Sequence, residues 1–157
     1  MSFRPLFILI CIVPFVSACA AFEALPDDPF DGAGPALVMV PVNHTDRYIP
    51  SLYLDQYWGA NADAHGGGRK GVCCYPGLKD WRKPVNVTWR WGQEEDSVTR
   101  AITLAGEDRS AVVNFPPGGP KRSSDTSEDE AYLCVIFREL NKVELAFATK
   151  GSACARK

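Results

Sequence analysis

Between residues 85 and 91 the chain reads VNVTWRW. Val85, Val87, Trp89 and Trp91 alternate there with Asn86, Thr88 and Arg90. A period of two puts the first set on one face of a β-strand and into a core. Other segments carry the same signature less cleanly. ALVMVPVNHT, from Ala36, is an apolar run rich in valine. RYIPSLYLD sets Tyr48, Pro50, Leu52 and Leu54 against Ile49, Ser51, Tyr53 and Asp55, and Pro50 marks an edge strand or a bulge. SVTRAITL follows the polar turn GQEED and is expected to form a hairpin with VNVTWRW. SAVVNF is a further short run, PPGGPKRSSDTSEDE a loop, and EAYLCVIFREL and KVELAFATK are expected to pair across NK. About seven short strands separated by turn signals predict an all-β domain, either a small disulfide-stapled β-sandwich or an open barrel. SEDEAYLCVIFREL has a second reading as a helix begun by a Ser cap.

The first 35 residues follow another pattern. MSFRPLFILICIVPFVSAC carries one positive charge, Arg4, and an apolar run from Leu6 to Val16 that is short for a membrane span. It ends in Val16-Ser17-Ala18-Cys19, the pattern of a bacterial lipoprotein box. The expectation is a signal peptide over 1–18, cleaved before Cys19, with a lipid on the Cys19 sulfur. Ala20 rather than Asp follows the cysteine, which favours an anchor in the outer membrane, facing the periplasm, over the inner membrane. Residues 19–35, rich in Pro, Gly and Asp towards their end, read as the lipidated cysteine and a flexible tether. Residues 36–157 then form a single β-rich periplasmic domain, within a mature chain of 139 residues.

Charge narrows the function classes. Without Arg4, 16 basic side chains stand against 19 acidic ones, so the mature chain has no basic excess with which to bind nucleic acid. The densest local signal is HGGGRKGVCCYPG, residues 65–77. Its glycines do not complete a phosphate-binding loop, because Lys70 is followed by Gly71 and no helix starts there. They read instead as a wide turn needing positive φ or close backbone approach, which can also present a loop to a partner. His44 and His65 have Asp46 and Asp63 nearby in sequence but lack HxH or HExxH spacing, and no GxSxG elbow occurs. No catalytic residue, metal or cofactor is expected.

After the leader and Cys19, four cysteines remain: Cys73, Cys74, Cys134 and Cys154. With 0, 59 and 19 residues between them they lack zinc-ligand spacing. An even set in an oxidising compartment reads as two disulfides. Adjacent cysteines rarely bond each other, so one bridge from each of Cys73 and Cys74 to Cys134 and Cys154 is expected, in either connectivity. Trp89 and Trp91 are expected in the core. Tyr57 and Trp58 precede a polar loop and serve equally as interface anchors or as an end plug, and Trp81 poses the same choice. The acidic stretches EED (94–96) and SDTSEDE read as solvated turns or as the meeting point for a basic partner.

The string VNHTDRYIPSLYLDQYWGANADAHGGGRKGVCCYPG, followed by Trp81 and VNVTWRW, resembles a family of small proteobacterial lipoproteins of unknown function. The hallmarks of that family are VNHTDRYI, YWGGN, HGGGGKGVCC and a VxVxW strand. The likeness covers roughly residues 40 to 92 and departs at Ala60 and Arg69, where the family has glycine. Genes of this family commonly sit beside type VI secretion components, notably lipase or phospholipase effectors. The resemblance therefore implies an immunity protein that binds and neutralises such an effector in the periplasm. The alternative is a structural or accessory envelope lipoprotein contacting secretion apparatus proteins. The candidate partner-binding residues are Tyr57, Trp58, His65, Arg69 and Lys70.

Overall fold

A computed structural model of the chain describes Gly34 and residues 36–68, 70–122 and 129–157. The expected leader, lipidated Cys19 and nearly all of the tether lie outside the described residues. So do Arg69 and residues 124–128, the first five of the acidic SDTSEDE stretch. The chain forms β1 (Leu37–Asn43), β2 (Ile49–Leu54), β3 (Tyr57–Ala62), β4 (Val72–Tyr75) and β5 (Val85–Trp91). There follow β6 (Glu94–Glu95), β7 (Ile102–Leu104), β8 (Glu107–Val113), β9 (Tyr132–Glu139), β10 (Lys142–Ala148) and a single helical turn, α1 (Gly151–Cys154).

Two four-stranded sheets stack as a sandwich. Sheet A has the order β10-β9-β1-β4 and sheet B the order β3-β2-β5-β8, while β6 and β7 form a separate ribbon. The all-β expectation holds, and the sheets do not close into a barrel. VNVTWRW forms β5 with the predicted alternation, and Val85, Val87, Trp89 and Trp91 are buried. From sheet A, Leu37, Met39, Leu133, Val135, Phe137 and Leu145 meet them in one core, with Trp89 edge-on to Phe137 at 5.3 Å. SEDEAYLCVIFREL forms strand β9 over Tyr132–Glu139 rather than a helix, and Trp81 plugs the sandwich edge-on against Phe115 (4.9 Å) and Phe147 (5.3 Å).

Several pairings differ from expectation. The partners of β5 are β2 and β8, with Val85 opposite Val113 and Trp91 opposite Glu107. SVTRAITL is not its partner: it contributes β7 to the ribbon, with Glu94 opposite Leu104. The segment 57–75 supplies two strands, β3 and β4, beyond those the alternation predicted. Pro50 sits where the β2–β3 register shifts, in a strand flanked on both sides, so the bulge reading holds and the edge reading does not.

β1 and β9 run parallel, with Val38 opposite Tyr132 and Asn43 opposite Phe137. Both are apolar on both faces. Their outward side chains (Val40, Val42, Cys134 and Ile136) form a second cluster with Ala148 and Cys154, closed over by α1. Cys134 bonds Cys154, with Cα atoms 5.4 Å apart, and Cys73 bonds Cys74. The expected bridges from β4 to Cys134 and Cys154 are therefore absent. The reason is spacing: β1 stands between β4 and β9, which puts them about 9.5 Å apart, beyond the reach of a disulfide. Closing a 20-residue loop, the Cys134–Cys154 bond is worth about 3 kcal/mol. The double variant Cys134→Ala/Cys154→Ala should lose about 2–4 kcal/mol in a denaturant unfolding curve, with α1 the first segment to become protease-sensitive.

Candidate protein-binding surface

VNHTDRY makes the corner that carries the chain from sheet A to sheet B. Alternation persists through it, with Asn43, Thr45 and Arg47 buried and His44, Asp46 and Tyr48 exposed. The Asn43 side-chain Nδ2 donates to the carbonyls of Arg47 (2.6 Å) and Asp63 (3.1 Å). Its oxygen accepts from the Thr45 amide (3.0 Å) and hydroxyl (2.8 Å). Arg47 Nη2 donates to the carbonyls of Gly92 (2.7 Å) and Ala105 (3.0 Å), and its guanidinium lies 5.8 Å from the Trp91 ring centre. Arg47 Nε is buried without a hydrogen-bond partner among the described residues, but the bonds made by Asn43, Thr45 and Arg47 Nη2 fix the backbone path, since a lost partner costs the desolvation of the group left behind.

The glycine-rich loop is built onto this corner. The His65 amide donates to Thr45 O (2.9 Å), the Asn43 amide to Gly66 O (2.8 Å), and the Gly68 amide to Pro41 O (2.8 Å). Gly67 and Gly68 have φ of +94° and +74°. A Cβ on Gly67 would overlap the Pro41 carbonyl, and one on Gly68 would overlap Ala155 just after α1. Gly71 packs directly on Val38 and Val40. The loop thus runs along the edge of β1, with Gly67 bridged to Val42, packs Gly71 on the outward Val38 and Val40 and meets the end of α1 at Ala155, so its glycines serve close approach. His65 and Lys70 are exposed on its rim.

The aromatic candidates lie elsewhere. Tyr57 is half-buried and edge-on to Tyr75 at 5.5 Å. Burial pushes the Tyr75 phenol well above its ordinary range, and the nearby Asp55 carboxylate adds to the shift. Trp58 starts the outward side of β3 and is 50% exposed. About 13 Å of strand separates it from Ala62, before the turn that carries His65, so the candidates form two groups rather than one patch.

Trp58 instead has a neighbour that the sequence reading missed as a contact residue. Tyr53 is directly opposite it on β2 and is 40% exposed, and the same row continues through Thr88 and Ser110. The signal was present: Leu52 and Leu54 point into the core, so Tyr53 between them points out. In the next row Ser51, Arg90 and Asp108 align, and Arg90 Nη1 donates 2.9 Å bonds to both Asp108 oxygens. Ser51, Tyr53, Thr88, Arg90, Asp108 and Ser110 line a shallow open groove. Among the described residues no three His, Cys, Asp or Glu side chains converge as a metal site.

The family described as Protein of unknown function (DUF3304) matches residues 42–135, more than half of the chain. The chain belongs to the DUF3304 family. No curated protein and no solved structure matches it. The DUF3304 match begins inside β1, just before the corner, and ends in β9. It therefore takes in the corner, the glycine loop and all of sheet B. If the loop is a structural cover, Gly68→Ala should cost about 1–3 kcal/mol in urea unfolding, while His65→Ala and Lys70→Ala stay within about 0.5 kcal/mol of the parent.

Proposed function

We propose that this DUF3304 protein is a lipid-anchored periplasmic binding protein, an immunity protein that neutralises a type VI secretion lipase or phospholipase effector by direct binding. The observation that carries a binding role is the outer face of sheet B. Trp58 and Tyr53 stand side by side there on paired strands, half-exposed, next to the Arg90–Asp108 pair. Rigid exposed aromatics give large contact area at small entropic cost, and aromatic and Arg side chains dominate binding hot spots. The VSAC pattern at residues 16–19 and the likeness of residues 40 to 92 to lipoproteins encoded beside such effectors are what favour this compartment and this partner class. An immunity protein held at the membrane by Cys19 meets an incoming lipase where that enzyme acts. It silences the lipase by covering its active site or the face that docks on the bilayer.

The test directs the neighbouring lipase to the periplasm, with and without this protein, and purifies the protein from the rescued cells. Rescue with a one-to-one complex is expected, and Trp58→Ala and Tyr53→Ala should each weaken the complex by about 10–100-fold without changing the fold. The absence of both rescue and a complex would overturn the reading in favour of an accessory envelope lipoprotein.

A further inference from the structure

Beyond sheet B the chain leaves the sandwich at Gly92 and returns at Ala105, making the β6–β7 ribbon. The ribbon exposes three large apolar side chains: Val98 at 86%, Ile102 at 60% and Leu104 at 39%. None of them serves the core, and clustered exposed apolar groups mark interaction sites. An isolated two-stranded hairpin is marginal in water, yet this one is tightly held. At its base, buried Arg47 donates to the carbonyls of both residues where the ribbon departs and rejoins, and the Gly92 amide donates to Tyr48 O at 2.8 Å. At its tip, the Asp96 carboxylate accepts from the amides of Val98 (3.0 Å) and Thr99 (2.7 Å) and from the Thr99 hydroxyl (2.9 Å). The Asp96 amide donates to Ala101 O and the Arg100 amide to Asp96 O, each at 2.9 Å. The bonds from the Thr99 amide and hydroxyl and from the Val98 amide hold the Asp96 carboxyl below its ordinary range. A finger fixed at base and tip loses little entropy when it binds.

Charge and position define the occupant. From Gln93 to Leu104 the ribbon carries three acidic side chains (Glu94, Glu95 and Asp96) against one basic side chain, Arg100, which pairs with Glu95 at 3.4 Å. A carboxylate-rimmed apolar tip is repelled by an anionic lipid surface and complements a basic-rimmed apolar pocket. The ribbon also projects from the corner end of the sandwich. β1 runs from Leu37 up to Asn43 at that corner, so the ribbon and the start of β1 lie at opposite ends of the sandwich. We propose that the β6–β7 ribbon is a docking finger that inserts Val98 and Ile102 into an apolar cleft with a basic rim on a protein partner. This deepens the binding reading given above, and it does not require that the partner be a lipase.

The test uses the full mature chain. The purified neighbouring lipase is titrated against the parent, Val98→Ser/Ile102→Ser and Glu94→Lys/Glu95→Lys. These side chains are exposed, and the Glu95–Arg100 pair (3.4 Å) and Gln93–Glu95 bond that the charge reversal removes are surface contacts, so unfolding constants should change by less than about fivefold, or about 1 kcal/mol. The apolar double variant should bind about 30-fold more weakly or worse, and the charge reversal should slow association and flatten its salt dependence. Binding within about threefold of the parent for both variants would overturn the inference while leaving the immunity reading intact. If the parent itself does not bind the lipase, the immunity reading fails and the ribbon is tested separately by a photo-crosslinking benzoylphenylalanine at position 98 in producing cells. A discrete adduct that disappears in Glu94→Lys/Glu95→Lys supports the finger. No adduct, or one indifferent to the charge reversal, overturns it.

Discussion

The structure depends on a parallel strand pair that is apolar on both faces. β1 and β9 lie side by side in the middle of sheet A, and neither face can be left to water. Leu37, Met39, Leu133, Val135 and Phe137 are covered by sheet B, as in any sandwich. Val40, Val42, Cys134 and Ile136 face the other way and need a second cover. A small domain has no spare layer, so the chain supplies this cover from two short pieces. One is the C-terminal turn, held down by Cys134–Cys154, and the other is the glycine-rich loop, laid against Pro41, Val38 and Ala155. Each buried aliphatic side chain is worth about 1.5–3 kcal/mol, so burying Val40, Val42 and Ile136 offsets part of the cost of ordering both pieces.

This assignment changes what the most conspicuous segment of the chain does. HGGGRKGVCC combines glycines, a histidine, basic residues and two cysteines, the ingredients of many functional loops. Its backbone is instead taken up in bonds to Pro41, Asn43 and Thr45, and its glycines mark the places where it touches strand and helix. Sheet A is thereby closed on both sides. Sheet B keeps an open outer face with Trp58 and Tyr53, and the Arg47 corner fixes the ribbon that extends it.

Much of the fold was legible from local pattern. VNVTWRW announced β5 because a strand with one wet face must alternate, and its limits match. The apolar runs of β1 and β9 announced buried strands, as parallel strands covered on both faces do. Pairing was less legible. The partner of β5 is β8 because the acidic turn after Trp91 opens into a projecting ribbon instead of closing the hairpin, and a two-residue strand such as β6 leaves no periodicity to read. The cysteine pairing hinges on the long-range parallel contact of β1 with β9, which places β1 between Cys73 or Cys74 and Cys134, and no local signal encodes that. Of the candidate contact residues, Trp58 stands exposed as an anchor should, and Tyr57 turns half inward. Tyr53 went unrecognised although its parity between two buried leucines marked it as outward-facing.

The central claim is that the glycine-rich loop is a cover over the β1–β9 pair and that the free surface lies on sheet B and its ribbon. Residue-resolved amide hydrogen exchange of the unliganded mature protein tests it most directly. The amides of Asn43 and Gly68, bonded to Gly66 O and Pro41 O, should exchange as slowly as the core strands, opening only with global unfolding, while those of the ribbon exchange faster. A Gly68 amide that exchanges as fast as the ribbon would contradict the account, because the loop would then be a presented segment and not part of the folded core.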